Sequence, residues 1–403
     1  MKKFLSLMIA VIMIIASLLT LTACPATEVS ELEKTIAEAE GMTLDELIAA
    51  AKAEIGSNTL KVSGITSGLT RAAAAFAAKY GIACEASTTP NKDYLQYEAI
   101  SAALDAGEYY ADVVLVQDAN SLKDQIAQGN FLNYLPNGFV DLAESDKDPL
   151  AGVYFNKLFI YTKSASQPSL TNVWQLAGSA ADSKHISNFS FQNPTGESIN
   201  MNFLIMLTSE DSCNKLAAAY KSYYGKDYVA DANYKNIGFK FIAELIANVS
   251  SWHTSDTDAV KNVGSGAIPA GTIVYAPLAK FKDAEKQTPG STSKMTVSGL
   301  NSTVEGFEGF MYKMYLQILK TSKYPLTACL FINYLTTSEA FEAGWVGDLG
   351  YYSVNNTAKI ASGDQSLAFW RNHLIIEDGN FIYNVFDDVN KFIKAEIAKA
   401  QSK

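Results

Sequence analysis

From Thr59 onward the chain alternates short β-branched or aromatic runs with helical stretches, and this alternation restricts the fold more than any other feature. Thr59–Ile65 reads as a strand and Leu69–Tyr80 as a helix closed by Gly81. Ile82–Ser87 repeats the strand, and Tyr94–Ala106 repeats the helix, closed by Gly107. Ala111–Gln117 is a run of the kind buried in a parallel sheet, and the helix Ser121–Gln128 ends at Gly129. The pattern returns later. Ser187–Gln192 and Gly271–Tyr275 read as strands, with helices through Met201–Leu204, Cys213–Tyr224, Tyr234–Ala247 and Asp256–Val263. The chain ends in helices at Pro325–Leu335, Ser338–Gly344 and about Phe381–Gln401. Strands alternating with helices form right-handed βαβ units on a mainly parallel sheet. Val153–Lys163 is a long apolar run able to cross between two halves, and Gly299–Met314 contains a second candidate crossing, near Glu305–Tyr312. The expected fold class from this alternation is α/β, with a mainly parallel sheet flanked by helices.

Composition removes several classes. The 403 residues are 48% hydrophobic and 18% charged, which excludes a disordered chain. A net charge of −10 provides no basic field for a phosphate backbone, so no nucleic-acid partner is expected. The one apolar run of spanning length is at the start: Lys2 and Lys3, then Phe4 to Leu21, then Leu21-Thr22-Ala23-Cys24. This stretch resembles a bacterial lipoprotein signal. The resemblance implies a signal peptide over 1–23, acylation (palmitate or a similar chain) at Cys24, and a membrane anchor on the extracytoplasmic face. Residues 24–57 read as a tether and an N-terminal helix, with Thr43-Leu44-Asp45-Glu46 as its capping box. The remaining cysteines, Cys84, Cys213 and Cys329, are odd in number and lack a CxxC spacing. Buried free thiols, or at most one bridge, fit them better than a redox or metal site.

In an open parallel sheet, ligands bind beyond the carboxyl ends of the strands. That rule selects Gly64, Thr66 and Ser67; Gln117 and Asp118; Asn193, Thr195 and Gly196 beside Pro194; Ser255 and Asp256; and Tyr275, while Tyr352, in the pair Tyr351-Tyr352, could also line a cleft. Hydroxyls and free N–H groups at helix starts can bind a polar or anionic group, although the same residues also serve as plain caps. The only arginines are Arg71 and Arg371, and Arg71 is expected to face away from the strand ends. That argues against arginine clamps. Asp118, Asp256 and Glu308 could instead hold a cation such as a polyamine among aromatic side chains.

Catalytic patterns are missing. The three histidines lie outside any HExxH, and neither a GxSxG nor a Walker loop occurs. His253, Ser255 and Asp256 are neighbours on one loop, whereas triads draw on separate elements. Asp256-Thr257-Asp258 lacks the glycine and the closing glutamate of a calcium loop. No enzyme activity, cofactor or metal site is expected. The competing readings are a lipid-anchored surface hydrolase and an adhesive or structural lipoprotein.

Several segments carry a family resemblance together. They are Lys61-Val62-Ser63-Gly64-Ile65-Thr66-Ser67-Gly68, Phe76-Ala77-Ala78-Lys79-Tyr80-Gly81, Ala111-Asp112-Val113-Val114 with Gln117-Asp118, Tyr154–Tyr161, Asn172-Val173-Trp174-Gln175-Leu176, Ser255–Val260 and Tyr324–Ala328. In this order, behind the lipoprotein signal, they resemble the extracellular solute-binding proteins of ABC importers, in the iron, polyamine and phosphonate-type group. The resemblance runs from about Leu60 to about Phe386. It implies a two-lobed type II periplasmic-binding fold, each lobe a mainly parallel sheet flanked by helices and the two joined by two hinge strands, with lobe one over 58–155, lobe two over 156–308 and a return to lobe one over 309–403. It further implies a monomer that closes on a small polar solute and docks on a permease with its ATPase. Ferric members of this clan place two adjacent tyrosines just past a second-lobe strand. Here that stretch reads Thr272-Ile273-Val274-Tyr275-Ala276-Pro277, so the pair is missing, which speaks against iron.

Overall fold

The computed structural model describes residues 29–139, 142–163, 168–178 and 182–402. The signal segment and Cys24 lie outside them. The stretch expected to be a tether with one helix instead holds two packed helices, α1 (Glu31–Glu40) and α2 (Leu44–Ile55). Each starts with a reciprocal capping box, Ser30 with Glu33 and Thr43 with Glu46. Leu47, Ala51 and Ile55 of α2 are buried against the helix Pro325–Leu335. Glu54 accepts the backbone N–H groups of Leu326 and Thr327 at 3.0 and 2.8 Å, so α2 supplies an acidic cap to that helix.

The βαβ reading then holds strand by strand. β1 (Thr59–Gly64), α3 (Ser67–Tyr80), β2 (Ala83–Ser87), α4 (Asp93–Asp105), β3 (Val113–Val116) and α5 (Ala119–Ala127) form the first wing, with β1 parallel to both β2 and β3. β4 (Phe131–Leu132) and α6 (Glu144–Lys147) lead into β5 (Ala151–Thr162). The second wing contains β6 (Phe189–Gln192), α7 (Ser198–Met206), α8 (Glu210–Tyr224), α9 (Ile237–Ala247), β7 (Val249–His253), α10 (Asp256–Ser265), β8 (Ile273–Pro277), α11 (Leu278–Gln287) and β9 (Met295–Val297). There β6 runs parallel to β7 and β8. β10 (Gly309–Leu319), α12 (Pro325–Leu335), α13 (Ser338–Gly344), β11 (Tyr351–Ser353), α14 (Leu367–His373), β12 (Ile375–Ile376) and α15 (Gly379–Gln401) complete the chain.

The strand order β2-β1-β3-β10-β5-β8-β6-β7 shows how the wings connect. β5 and β10 are antiparallel partners and every residue in both is buried. The start of β5, Val153–Phe155, pairs with β11, and its end, from Lys157, pairs with β8. β10 enters from the second wing and pairs with β3 of the first through Tyr315–Ile318. Both strands therefore pass from one lobe to the other, as a double hinge requires. The second crossing, expected near Glu305–Tyr312, begins at Gly309, after Gly299 and Gly306 turn the chain at φ 75° and 99°. Gly309 itself sits at φ 152° with its Cα against the partner strand; a Cβ there would come 2.1 Å from the Lys157 carbonyl oxygen.

α15 spans the junction, packing on α5 of the first wing and on α7 and α9 of the second. Cys84, Cys213 and Cys329 are all free. Burial pushes the Cys84 thiol up to about 12 and raises the other two, which leaves them protonated and inert. Among the described residues, no helix is long and apolar enough to cross a membrane.

Candidate functional site

The strand ends of the two wings face one another across a cavity of about 910 Å3. On the first side, α3, α4 and α5 begin at its wall; on the second, α7, α10 and α11 do. Helix starts carry unsatisfied N–H groups and a positive partial charge, so the cavity is polar by construction.

On the first wall Thr66 caps α3 and its hydroxyl also accepts from the Trp345 indole at 3.2 Å. Gly68 makes this approach possible, since a Cβ there would lie 2.1 Å from the indole nitrogen. Ser67 lines the cavity beside Arg71. Arg71 was expected to face away, and it does not. The helix starts at Ser67 rather than Leu69, so Arg71 stands one turn above the opening and reaches the cavity edge. Its guanidinium is already engaged by the Gly344 carbonyl and by Asp348 at 3.4 Å.

Asp93, the first residue of α4, is buried, and its carboxylate accepts the Gln117 N–H at 3.3 Å and the Ser198 hydroxyl at 3.4 Å. Gln117 and Asp118 follow β3. Asp118 holds a left-handed backbone at φ 62°, fixed by the Tyr97 hydroxyl donating to the Gln117 carbonyl at 2.7 Å. Strained backbone of this kind persists where the surroundings impose it, often at functional positions. One Asp118 oxygen accepts from Ser121 at 2.6 Å; the other, Oδ1, is buried without a partner.

On the second wall Gln192 ends β6, donating to Glu197 at 3.0 Å and to the Thr254 carbonyl at 3.1 Å while its Oε1 has no partner. Thr195, Gly196, Ser255 and Asp256 line the cavity. Asp256 pairs with Lys157 at 2.9 Å, and that ammonium also reaches Asn200 at 2.6 Å. Burial raises the Asp93 carboxyl well above its ordinary range, with the nearby Asp118 charge adding to it. Burial likewise raises Asp118, and raises Glu197 against the opposing pull of Lys157.

Four candidates do not reach the cavity. Gly64 is packed inside the first wing, where a Cβ would meet Leu69 at 2.8 Å. Asn193 turns away to accept from the Thr195 N–H at 3.0 Å, holding the loop rather than a ligand. Tyr275 is buried beneath the floor, stacked on Phe203 at 4.5 Å. Tyr352 accepts from the Trp370 indole and donates to the Gln365 carbonyl; its neighbour Tyr351 lines the cavity instead. Glu308 is also remote, buried beside the crossing strands, where it accepts the Val304 N–H and burial pushes it up to about 7. His253, Ser255 and Asp256 do not form a triad: His253 contacts Ser190, Ser255 caps α10 and Asp256 faces Lys157.

The sequence reading missed Asp93, Glu197, Ser198 and Lys157, together with Phe155 and Tyr312, which join Tyr351 in an aromatic wall. Only Lys157 left a signal: a lone charge inside an apolar strand needs a buried counter-charge. Among the described residues, no group of three or more His, Cys, Asp or Glu side chains is placed to hold a metal ion.

Two α/β wings, a double crossing and a polar cavity between strand ends define a two-lobed binding protein of the type II periplasmic architecture. The model of the family described as bacterial extracellular solute-binding protein matches residues 62–343, and the chain belongs to that family. Membership makes it an extracytoplasmic binding protein, not an enzyme. No curated protein sequence matches the chain. Similar solved structures include iron-bound HitA from Pseudomonas aeruginosa, at 13% identity and TM-score 0.60, covering 84% of this chain and 99% of HitA. The ferric binding protein from Campylobacter jejuni is similar at 12% identity and TM-score 0.59, covering 84% of this chain and 99% of its own. AfuA from Actinobacillus pleuropneumoniae, with fructose-6-phosphate bound, matches at 15% identity and TM-score 0.60, covering 85% and 98%. At these identities the likeness establishes the fold.

Proposed function

We propose that this protein is the membrane-anchored receptor of an ABC importer, capturing one small polar solute between its lobes and presenting it to a permease whose separate ATPase drives transport. The observation that carries this reading is the polar cavity of about 910 Å3, built from both wings around a two-strand hinge. Such a cavity can shut on a solute by hinge bending and open again to release it. We assign the lobes to 58–155 with 309–403, and to 156–308, and take the protein to act as a monomer. Thr66, Ser67, Gln117, Asp118, Thr195, Gly196, Ser255 and Asp256 are the wall positions assigned to solute contact. Acylated Cys24 is assigned as the anchor. An adhesive lipoprotein would have no use for an interlobe cavity.

A screen of the purified protein over amines, phosphonates, sugars, thiamine and ferric citrate tests the reading. One solute is expected to raise the melting temperature and reduce the radius of gyration. At 100 times its Kd a ligand adds about 2.7 kcal/mol of stability. A broad screen with neither effect overturns the receptor reading. Cys24→Ala is expected to release the protein from membranes, and persistent anchoring overturns the lipid assignment.

A further inference from the structure

Taking solute capture as given, we propose that the cleft selects an organic cation: a small solute bearing one or more ammonium groups with N–H donors. The first argument is a hydrogen-bond inventory. Among the described residues, the buried polar side-chain atoms of the cavity wall that lack a partner are all oxygens: Asp118 Oδ1, Gln192 Oε1, Asp256 Oδ1 and Asn390 Oδ1. Gln192 is only 4% exposed and the Asp256 side chain 10%. Buried acceptors without donors are costly, so the missing partner is a donor-rich group. An ammonium group carries three donors and no acceptor.

The second argument is charge. Asp93 is the first residue of α4, Asp118 and Glu197 stand at the N-cap positions of α5 and α7, and Asp256 is the first residue of α10. At four of the six helix starts on the cavity wall, the position where an anionic ligand would meet an N-terminus is thus already taken by one of the chain's own carboxylates. Lys157 balances Asp256, whereas Asp93, Asp118 and Glu197 have no ion-pair partner within 4.0 Å among the described residues. The cationic residues at the rim do not change this balance. Arg71 pairs with Asp348 and Lys280 with Asp283, while Lys92 and Lys394 are exposed at the mouth. Phe155, Tyr312 and Tyr351 add π faces to the same wall; Phe155 and Tyr351 meet edge-on at 4.3 Å. The carboxylates are not clustered tightly enough to chelate a metal ion, which favours a solute whose donors are spread over several atoms.

Titration calorimetry with ethanolamine, 1,4-diaminobutane and spermidine tests the assignment, with inorganic phosphate, glucose and ferric citrate as contrasts. At least one amine is expected to bind. Asp118→Asn and Glu197→Gln are each expected to weaken that binding roughly tenfold or more, the scale of a hydrogen bond to a charged group. Both variants are also expected to melt higher than the wild type without ligand, because each replaces a half-buried carboxylate that has no ion-pair partner among the described residues. Binding of phosphate, glucose or ferric citrate in place of all three amines overturns the cation assignment and leaves the receptor reading standing. Amine binding undiminished in both variants overturns the site. Absence of any solute in the broader screen overturns the receptor reading itself.

Discussion

The crossing strands and the cleft both bury charge, and they treat it in opposite ways. Lys313 on β10 is fully buried, yet its ammonium meets Asp146 at 2.7 Å and the Ser145 carbonyl at 2.8 Å, with Arg371 approaching Asp146 at 3.6 Å. Lys157 on β5 is held as completely by Asp256 and Asn200. In the cleft, Asp93, Asp118 and Glu197 converge with hydroxyl and amide partners but without a paired cation. A buried charge without a counter-charge weakens the empty protein. The charge of the crossing strands is compensated from within the chain. The cleft, which changes occupant, is left for a ligand to compensate.

The largest test of that contrast is at the hinge. Lys313→Met removes the ammonium and leaves Asp146 facing only the half-exposed Arg371. Breaking a buried pair by removing one partner costs about 3–5 kcal/mol. Urea unfolding of the variant is expected to show a loss of that size, opposite in sign to the gain expected for Asp118→Asn. A loss under 1 kcal/mol, or a loss for both variants, breaks the contrast.

How much of this was readable from the residues follows from what is local. The first wing was legible because Gly81 and Gly107 end its helices and Val113–Val116 is an unbroken β-branched and aliphatic run. α12 and α13 match the expected Pro325–Leu335 and Ser338–Gly344, since Pro325 occupies the first helical turn and Thr337 caps the next helix. β7, β9, β11 and β12 were not legible. β7 contains Ser250, Ser251 and His253 and is only partly buried, and β11 and β12 are strands of three and two residues that exist through pairing with β5 and β10. In the site, capping positions such as Thr66 and Ser255 could be read because a cap is a local bond. Asp93 and Glu197 could not: neither has a local capping signature, and only the meeting of the two wings gives them a shared cavity.

Glu377 sharpens the comparison through pH. It is buried between the lobes, accepting the Lys313 N–H at 2.7 Å and the Asn202 amide at 3.2 Å, and burial pushes it up from 4.5 to about 7. The folded protein therefore holds a proton across this window that the unfolded chain has released. Stability from this group is greatest near pH 4.5 and falls as the pH rises through 7. Glu377→Gln cannot lose that proton, so it is expected to gain on the wild type by an amount on the order of 3 kcal/mol between acid and mildly basic pH. Denaturant titrations of both proteins at pH 5 and pH 8 measure it. A bound amine is expected to remove the parallel slope from the cleft carboxylates and leave the Glu377 slope intact. Equal pH profiles for wild type and Glu377→Gln would place the sensitivity elsewhere.

The smallest effect is expected where charge meets across the lobes in open solvent. Lys235, ahead of α9, pairs with Asp388 of α15 at 3.1 Å, with the side chains 67% and 78% exposed. Water screens such a pair and long side chains lose entropy in forming it, so it contributes less than about 1 kcal/mol. Lys235→Ala is therefore expected to shift stability by no more than that, with little dependence on salt above physiological ionic strength. Beneath it Phe239 meets Phe392 edge to face at 4.9 Å, an apolar contact between α9 and α15 that needs no ion pair to persist. If Lys235→Ala destabilised the protein as much as Lys313→Met, exposure would not be what separates the two pairs, and the contrast between compensated hinge and open cleft would lose its physical basis.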